Sequence, residues 1–167
     1  MLGNDYRQEF QQRAIAPFYL VEAPGDCWRC GAVDMVIAFA AAGSEMDGES
    51  YMETVMFAYI EAVPTRLARY LRQFHPRYYK SFSKTAKSHY WMNHCRCGAP
   101  LGDFFLHSEP GAPFFPTSEA DCEEMTLTAL KGSGFVALTA SPSFSSGDGL
   151  LQYSKRGTPP AEHARKA

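Results

Sequence analysis

The chain has 167 residues, 46% of them hydrophobic and 20% charged, with a net charge of -2. This composition excludes a disordered or collagen-like chain, and no apolar run reaches the roughly 18 residues a membrane helix needs. The near-neutral balance names no partner class, while the 14% aromatic share supplies large side chains for a core.

Residues 1–15 are polar and lack the apolar stretch of a secretory leader. They read as a loose or helical arm, and a cytoplasmic location is expected. Residues 16–23 read as a strand leading into Cys27-Trp28-Arg29-Cys30-Gly31. Residues 32–42, rich in Val, Ile and Phe, read as the strand leaving it. Residues 43–50 read as a polar loop. In residues 51–63 the apolar positions Met52, Val55, Met56 and Tyr59 fit a helix, and a short buried strand fits as well.

Residues 64–76 predict an amphipathic helix. Leu67, Tyr70, Leu71 and Phe74 share one face, Pro64 and Thr65 suit its start, and Pro76 stops it. Residues 88–93 read as a strand into a second cysteine pair, and residues 102–109 as the strand leaving it. Residues 110–116 form a proline-punctuated loop. Residues 125–141 read as a β-hairpin turning at Lys131–Ser133, residues 141–149 as a loop, and residues 154–167 as a disordered polar tail. One domain over residues 1–153 is expected, with residues 43–87 inserted between two strand–knuckle–strand units.

The chain has five cysteines, an odd number, in a compartment expected to keep thiols reduced. That favours metal over a disulfide framework. Cys27 and Cys30 are followed by Gly31, and Cys95 and Cys97 by Gly98. A metal knuckle needs a tight turn with backbone amides near the thiolates, and glycine after the second cysteine relieves the backbone there. Two facing knuckles give a tetrahedral site of four sulfurs, which suits Zn2+. A redox dithiol would open a helix, whereas a strand is expected after Cys30.

The second knuckle is irregular, with one residue between its cysteines. Cys95 and Cys97 are the preferred ligands, and His94 with Cys97 is the alternative. Four protein ligands leave no open position for water, so the site should staple the fold. Cys122 reads as a free thiol.

Tyr90, Trp91, Asn93, Cys95, Cys97, Gly98, Gly102 and Asp103 carry a resemblance. With Cys27 and Cys30 they make residues 17–116 similar to a group of small bacterial zinc-ribbon proteins of unassigned function. The resemblance implies a zinc ribbon with metal at Cys27, Cys30 and the second knuckle. It implies no activity. The missing residue between Cys95 and Cys97 departs from the group's pattern.

Two other patterns have plain readings. Ser81, Ser83, Lys84 and Thr85 lack a glycine-rich loop and read as a surface turn, not a phosphate site. Asp103 and His107 share a strand face, but no nucleophile accompanies them.

The charges segregate. No Asp or Glu occurs between Glu61 and Asp103, and that interval holds eight of the sixteen basic residues. Arg66, Arg69, Arg72, Arg77, Lys80, Lys84 and Lys87 are the expected partner-binding residues, with aromatic side chains interleaved. The competing reading is a solvated face paired to its acidic flanks. The expected fold is α+β: a zinc-ribbon-like knuckle pair around one structural zinc, a helical insertion and a C-terminal hairpin. The expected function is non-enzymatic binding of another protein, as by an inhibitor, antitoxin or immunity-type factor. A nucleic-acid-binding zinc ribbon using residues 64–96 is the alternative.

Overall fold

Two long antiparallel strands, β1 (Phe10–Asp26) and β2 (Val33–Met46), carry the first cysteine pair at their turn. They belong to a computed structural model that describes residues 10–131, 135–143 and 147–161. An Asp-Gly turn, with Asp47 at φ 51° and Gly48 at φ 82°, returns β2 into β3 (Glu49–Tyr51). Positive φ at both central residues matches the right-handed twist of the flanking strands. Next come β4 (Val55–Ala62) and helix α1 (Thr65–Phe74). A hairpin of β5 (Tyr78–Ser83) and β6 (Ser88–His94) follows, then the short β7 (Pro100–Leu101). Helices α2 (Asp103–His107) and α3 (Glu119–Glu123) precede β8 (Thr126–Leu130) and β9 (Phe135–Ser143). Helix α4 (Gly147–Tyr153) and β10 (Lys155–Gly157) complete the described chain.

The fold is mostly β. β1 pairs with β2, β2 with β4, β4 with β9, and β9 with β1, so four strands close into a small barrel. β4, from the segment expected as an insertion, is one wall of that barrel. The second sheet, in the order β5-β6-β7, packs against the first.

Residues 36–41 of β2 are buried on both faces, which explains their continuous apolar run. Ile37, Phe39 and Ala41 face the barrel interior with Phe18, Leu20, Val55, Phe57, Leu138 and Ala140. The Phe18 and Phe39 rings stack there at 5.4 Å. Leu67 and Leu71 of α1 close one end. Val36, Ala38 and Ala40 face a second core with Val21, Leu106, Phe114, Leu127 and Leu150. Cys27 and Cys95 belong to this second core.

Several expectations are corrected. Of the arm expected over residues 1–15, residues 10–15 instead continue β1 and pair with β9, and residues 1–9 lie outside the described residues. Residues 43–46 and 49–51 are strand, not loop. The ambiguous stretch 51–63 supplies β4. Residues 103–107 form a helix where a strand was expected. Residues 125–141 are not a hairpin: β8 pairs with Phe18–Glu22 and β9 with Phe10–Ile15, so both lie end to end along β1. The break between them faces Ala16 and Pro17, where β1 also slips register against β2. Proline lacks a backbone donor, so such a site suits a bulge. The expected turn at Lys131–Ser133 falls largely outside the described residues. Residues 155–157 of the expected tail pair in parallel with β8, and residues 162–167 lie outside the described residues. No helix among the described residues is long and apolar enough to cross a membrane.

Candidate metal centre

Each knuckle is a short loop closed by two backbone hydrogen bonds. At the first, Cys27 N–H donates to Ala32 O and Gly31 N–H to Cys27 O, both at 2.9 Å. At the second, Cys95 N–H donates to Ala99 O at 2.9 Å and Gly98 N–H to Cys95 O at 2.8 Å. The closing pattern is the same with one residue fewer, so the loop absorbs the shortening. Gly31 and Gly98 sit at φ 70° and 84°, which explains the glycine after each pair.

The fold brings Cys27, Cys30, Cys95 and Cys97 together, with all four sulfurs within 4.8 Å of one another. Cys27 Sγ lies 3.7 Å from Cys97 Sγ, and Cys30 Sγ lies 3.6 Å from Cys95 Sγ. Four sulfurs bound to one ion at about 2.3 Å would stand about 3.8 Å apart. The cage therefore has the size a metal ion needs. Cys27 and Cys95 are buried, while Cys30 and Cys97 are exposed.

Electrostatics point the same way. Cys27 is held down at about 6, first by the Cys30 backbone N–H, with the Arg29 N–H and neighbouring thiols adding to it against burial. At Cys95 the Cys97 backbone N–H favours the thiolate. Burial and hydrogen bonds with the three other thiols outweigh it, and the group is pushed up to about 12. Four thiolates cannot share so small a volume without a cation between them.

His94 stands apart from the cage. Its Nε2 is 3.0 Å from Ser81 Oγ, its Nδ1 is 3.3 Å from Arg77 O, and its ring stacks on Tyr79 at 3.8 Å. Cys122 is also elsewhere, buried in α3, where burial pushes its thiol up.

The residues between the cysteines latch one knuckle to the other side. Trp28 Nε1–H donates to Pro100 O at 2.8 Å. Arg96 grips Asp34 with two bonds of 3.1 Å, and Arg77 adds a third contact to that carboxylate at 3.4 Å. The Arg96 hydrogen bond, with Arg77 and Arg96 charge, holds Asp34 below the usual carboxylate range against burial. Sequence reasoning missed Asp34, and its position just after the first knuckle was the available signal. Asp34→Ala is expected to weaken metal binding about 10-fold, as loss of supporting contacts does elsewhere. Competition with a chromophoric chelator reads the change, and an unaltered affinity would remove Asp34 from the site.

Asn93 joins the sheets. Its Oδ1 accepts from Ile37 N–H at 2.8 Å and its Nδ2 donates to Ile37 O at 2.9 Å. A side chain thus replaces a strand partner on β2, next to the second knuckle.

Asp103 and His107 do meet, as i and i+4 of α2, with Oδ2 and Nε2 4.0 Å apart. Both are buried. Asp103 Oδ2 accepts from Tyr59 N–H at 2.7 Å, and Tyr90 Oη accepts from Asp103 N–H at 3.1 Å. Tyr59 sits at φ 51°, where β4 slips register against β9. Asp103 therefore pins a bulge in the barrel wall.

Burial pushes the Asp103 carboxyl up to about 7, although the Tyr59 N–H opposes it, and pushes His107 down to about 3. Unfolded Asp ionises near about 4 and unfolded His near about 6.5. Between about pH 4 and 6.5 the folded and unfolded pairs each hold one proton, so the pair adds no slope to stability there. Asp103→Asn leaves His107 alone, neutral when folded and charged when unfolded. The unfolded state then binds more protons. Relative to the parent, the variant's stability should rise with pH in that window, by up to about 1.4 kcal/mol per unit. Urea unfolding across the window measures it, and a slope equal to the parent's would mean that His107 is charged in the fold.

The expected partner residues divide between two elements. Arg66, Arg69 and Arg72 are exposed on α1, Lys80, Lys84 and Lys87 on the β5–β6 hairpin, and Arg77 between them. The turn after β5 is a surface turn, where Ala86 N–H donates to Ser83 Oγ at 3.0 Å. Of the interleaved aromatics, Tyr78 and Tyr90 are core residues, whereas Tyr79 and Phe82 are 45% and 51% exposed. Three residues of the acidic flanks have partners outside the basic stretch: Glu45 with Arg13, Glu49 with the Tyr51 hydroxyl, and Asp121 in the capping box of α3.

Comparison with protein-family models, with curated proteins and with solved structures finds no match for this chain.

Proposed function

We propose that Cys27, Cys30, Cys95 and Cys97 hold one structural zinc ion, and that the protein is a non-enzymatic module that binds another protein. Four thiolates at tetrahedral spacing suit zinc among the common divalent ions. They leave the ion no vacant position for water, so its contribution is to staple β1–β2 to β6–β7.

One observation carries the binding reading. The β5–β6 hairpin offers Tyr79 and Phe82 to solvent beside exposed Lys80, Lys84 and Lys87. Exposed aromatic anchors ringed by like charge give a protein interface its affinity and its orientation. Arg69 and Arg72 of α1 extend the same sign of charge.

Native mass spectrometry of the protein from its own host tests both parts. The expected result is one zinc per chain with a second polypeptide attached, and loss of that polypeptide in Lys84→Glu/Lys87→Glu. Bound nucleic acid in its place would overturn the reading, and so would a polypeptide that the charge reversal leaves attached.

A further inference from the structure

β5 is the outer strand of its sheet, and no described strand pairs with its far edge. The register fixes which groups that edge presents. His94 N–H donates to Arg77 O, so Arg77 faces His94 as a hydrogen-bonded pair. Bonded pairs alternate along an antiparallel ladder, which makes Tyr79–Met92 and Ser81–Tyr90 the next bonded pairs. Tyr78, Lys80 and Phe82 therefore turn their backbone groups away from β6. The Tyr78 N–H is taken by His75 O at 2.9 Å. Lys80 and Phe82 are left with N–H and C=O groups pointing outward, two residues apart, the repeat at which another strand would bond.

Side chains frame this edge on both faces. Tyr79 lies flat on His94 at 3.8 Å, and Phe82 rests on His89 at 5.1 Å. Both rings are thus held in place although exposed, so little freedom is lost when a partner covers them. Lys84 and Lys87 stand at the end of the strand, and the nearest acidic residues in sequence are Glu61 and Asp103. Asp103 is buried in α2. Natural edges carry lysine to repel other strands, and the same charge selects a strand of opposite sign.

We infer that β5 accepts an extended acidic segment of a protein partner as an added strand, bonded to the outward backbone groups of Lys80 and Phe82 and clamped by Tyr79, Phe82, Lys84 and Lys87. This rests on the protein-binding reading above and names its mode. Backbone bonding gives such a contact affinity, and the flanking charges and rings choose the sequence.

The test uses the full, metal-loaded chain at low salt. The probes are a short fluorescein-labelled peptide alternating valine with glutamate, its valine–lysine counterpart, and a labelled oligothymidylate. The expected result is binding of the acidic peptide alone, with slowed amide exchange at Lys80 and Phe82. Lys84→Glu/Lys87→Glu should weaken it at least 10-fold. Phe82→Pro removes one outward N–H while sparing the ladder to β6, so it should bind at least 5-fold more weakly than Phe82→Ala. Circular dichroism checks that each variant is folded. Equal binding by Phe82→Pro and Phe82→Ala, or acidic-peptide binding without amide protection, overturns the added strand and leaves the protein-binding reading standing. Preference for oligothymidylate overturns both. Absence of acidic-peptide binding overturns the inference.

Discussion

Cys30→Ser is expected to release the metal and lower the melting temperature by at least about 10 °C, and Cys27→Ser by more. Structural zinc contributes an apparent ~10–16 kcal/mol in small peptides, against a whole-domain stability of about 5–15 kcal/mol. Even a partial share of that, about 5 kcal/mol, shifts the melting point of a chain this size by about 10–20 °C. The two substitutions differ in a useful way. Cys30 is exposed, so its replacement reports ligation almost alone. Cys27 is 3% exposed and packs in the core with Val36 and Leu101, so its replacement also places a polar hydroxyl in that apolar setting. Metal content by elemental analysis and thermal melts read both effects. His94→Ala should keep the metal, since its ring bonds to Ser81 and Arg77. Full zinc content with an unchanged melt in both cysteine variants would mean that the four sulfurs do not form the site.

Asn93→Ala is expected to destabilise the protein by about 2–5 kcal/mol without removing a ligand, because each buried backbone group left unpaired costs about 1–3 kcal/mol. Two such groups are at stake, the N–H and C=O of Ile37. β2 pairs with β4 only over Phe39–Ala41, so no described strand covers that edge at Ile37. Asn93→Asp is the informative companion. Its ionised carboxylate accepts from the Ile37 N–H but cannot donate to the Ile37 carbonyl. A protonated carboxyl can do both, so the aspartate variant should recover part of the loss in acid. Denaturant unfolding at two pH values measures this. An Asn93→Ala variant as stable as the parent would show that water or a backbone shift satisfies Ile37.

The knuckles were legible in the sequence because their chemistry is local. Cysteine pairs with a following glycine state both the ligands and the backbone they need, and the apolar runs beside them state the strands. Helix α1 was legible for the same reason: Leu67 and Leu71 repeat at helical spacing between two prolines. Asp47-Gly48 carried a hairpin signal as clear as either, and it was passed over because its polar flanks resemble a loop. Phe104, Phe105 and Leu106 form a short apolar run that fits strand or helix alike, and only packing against the second core decides it. The alternation in β8 and β9 correctly indicates strands but not their partner. β1 is long enough to receive both, and nothing local in residues 125–141 reports a neighbour more than a hundred positions away. Asn93 was visible as a motif residue, yet its bond to Ile37 depends on how two sheets meet.

The cage joins residues that are made at different times. Seventy positions separate Cys27 from Cys97. At a synthesis rate of about 5–20 residues per second, the first knuckle waits about 4–14 s for the second. During that interval Cys27 and Cys30 are a bare dithiol, and β4 and β6 are still being added. A metal ion captured early has two ligands only and is easily surrendered to other thiols. Secure loading must wait until Cys97 has left the ribosome. A supply of metal that lags behind translation would therefore leave chains whose β6–β7 unit is held to the barrel by packing and hydrogen bonds alone, such as those of Asn93 to Ile37.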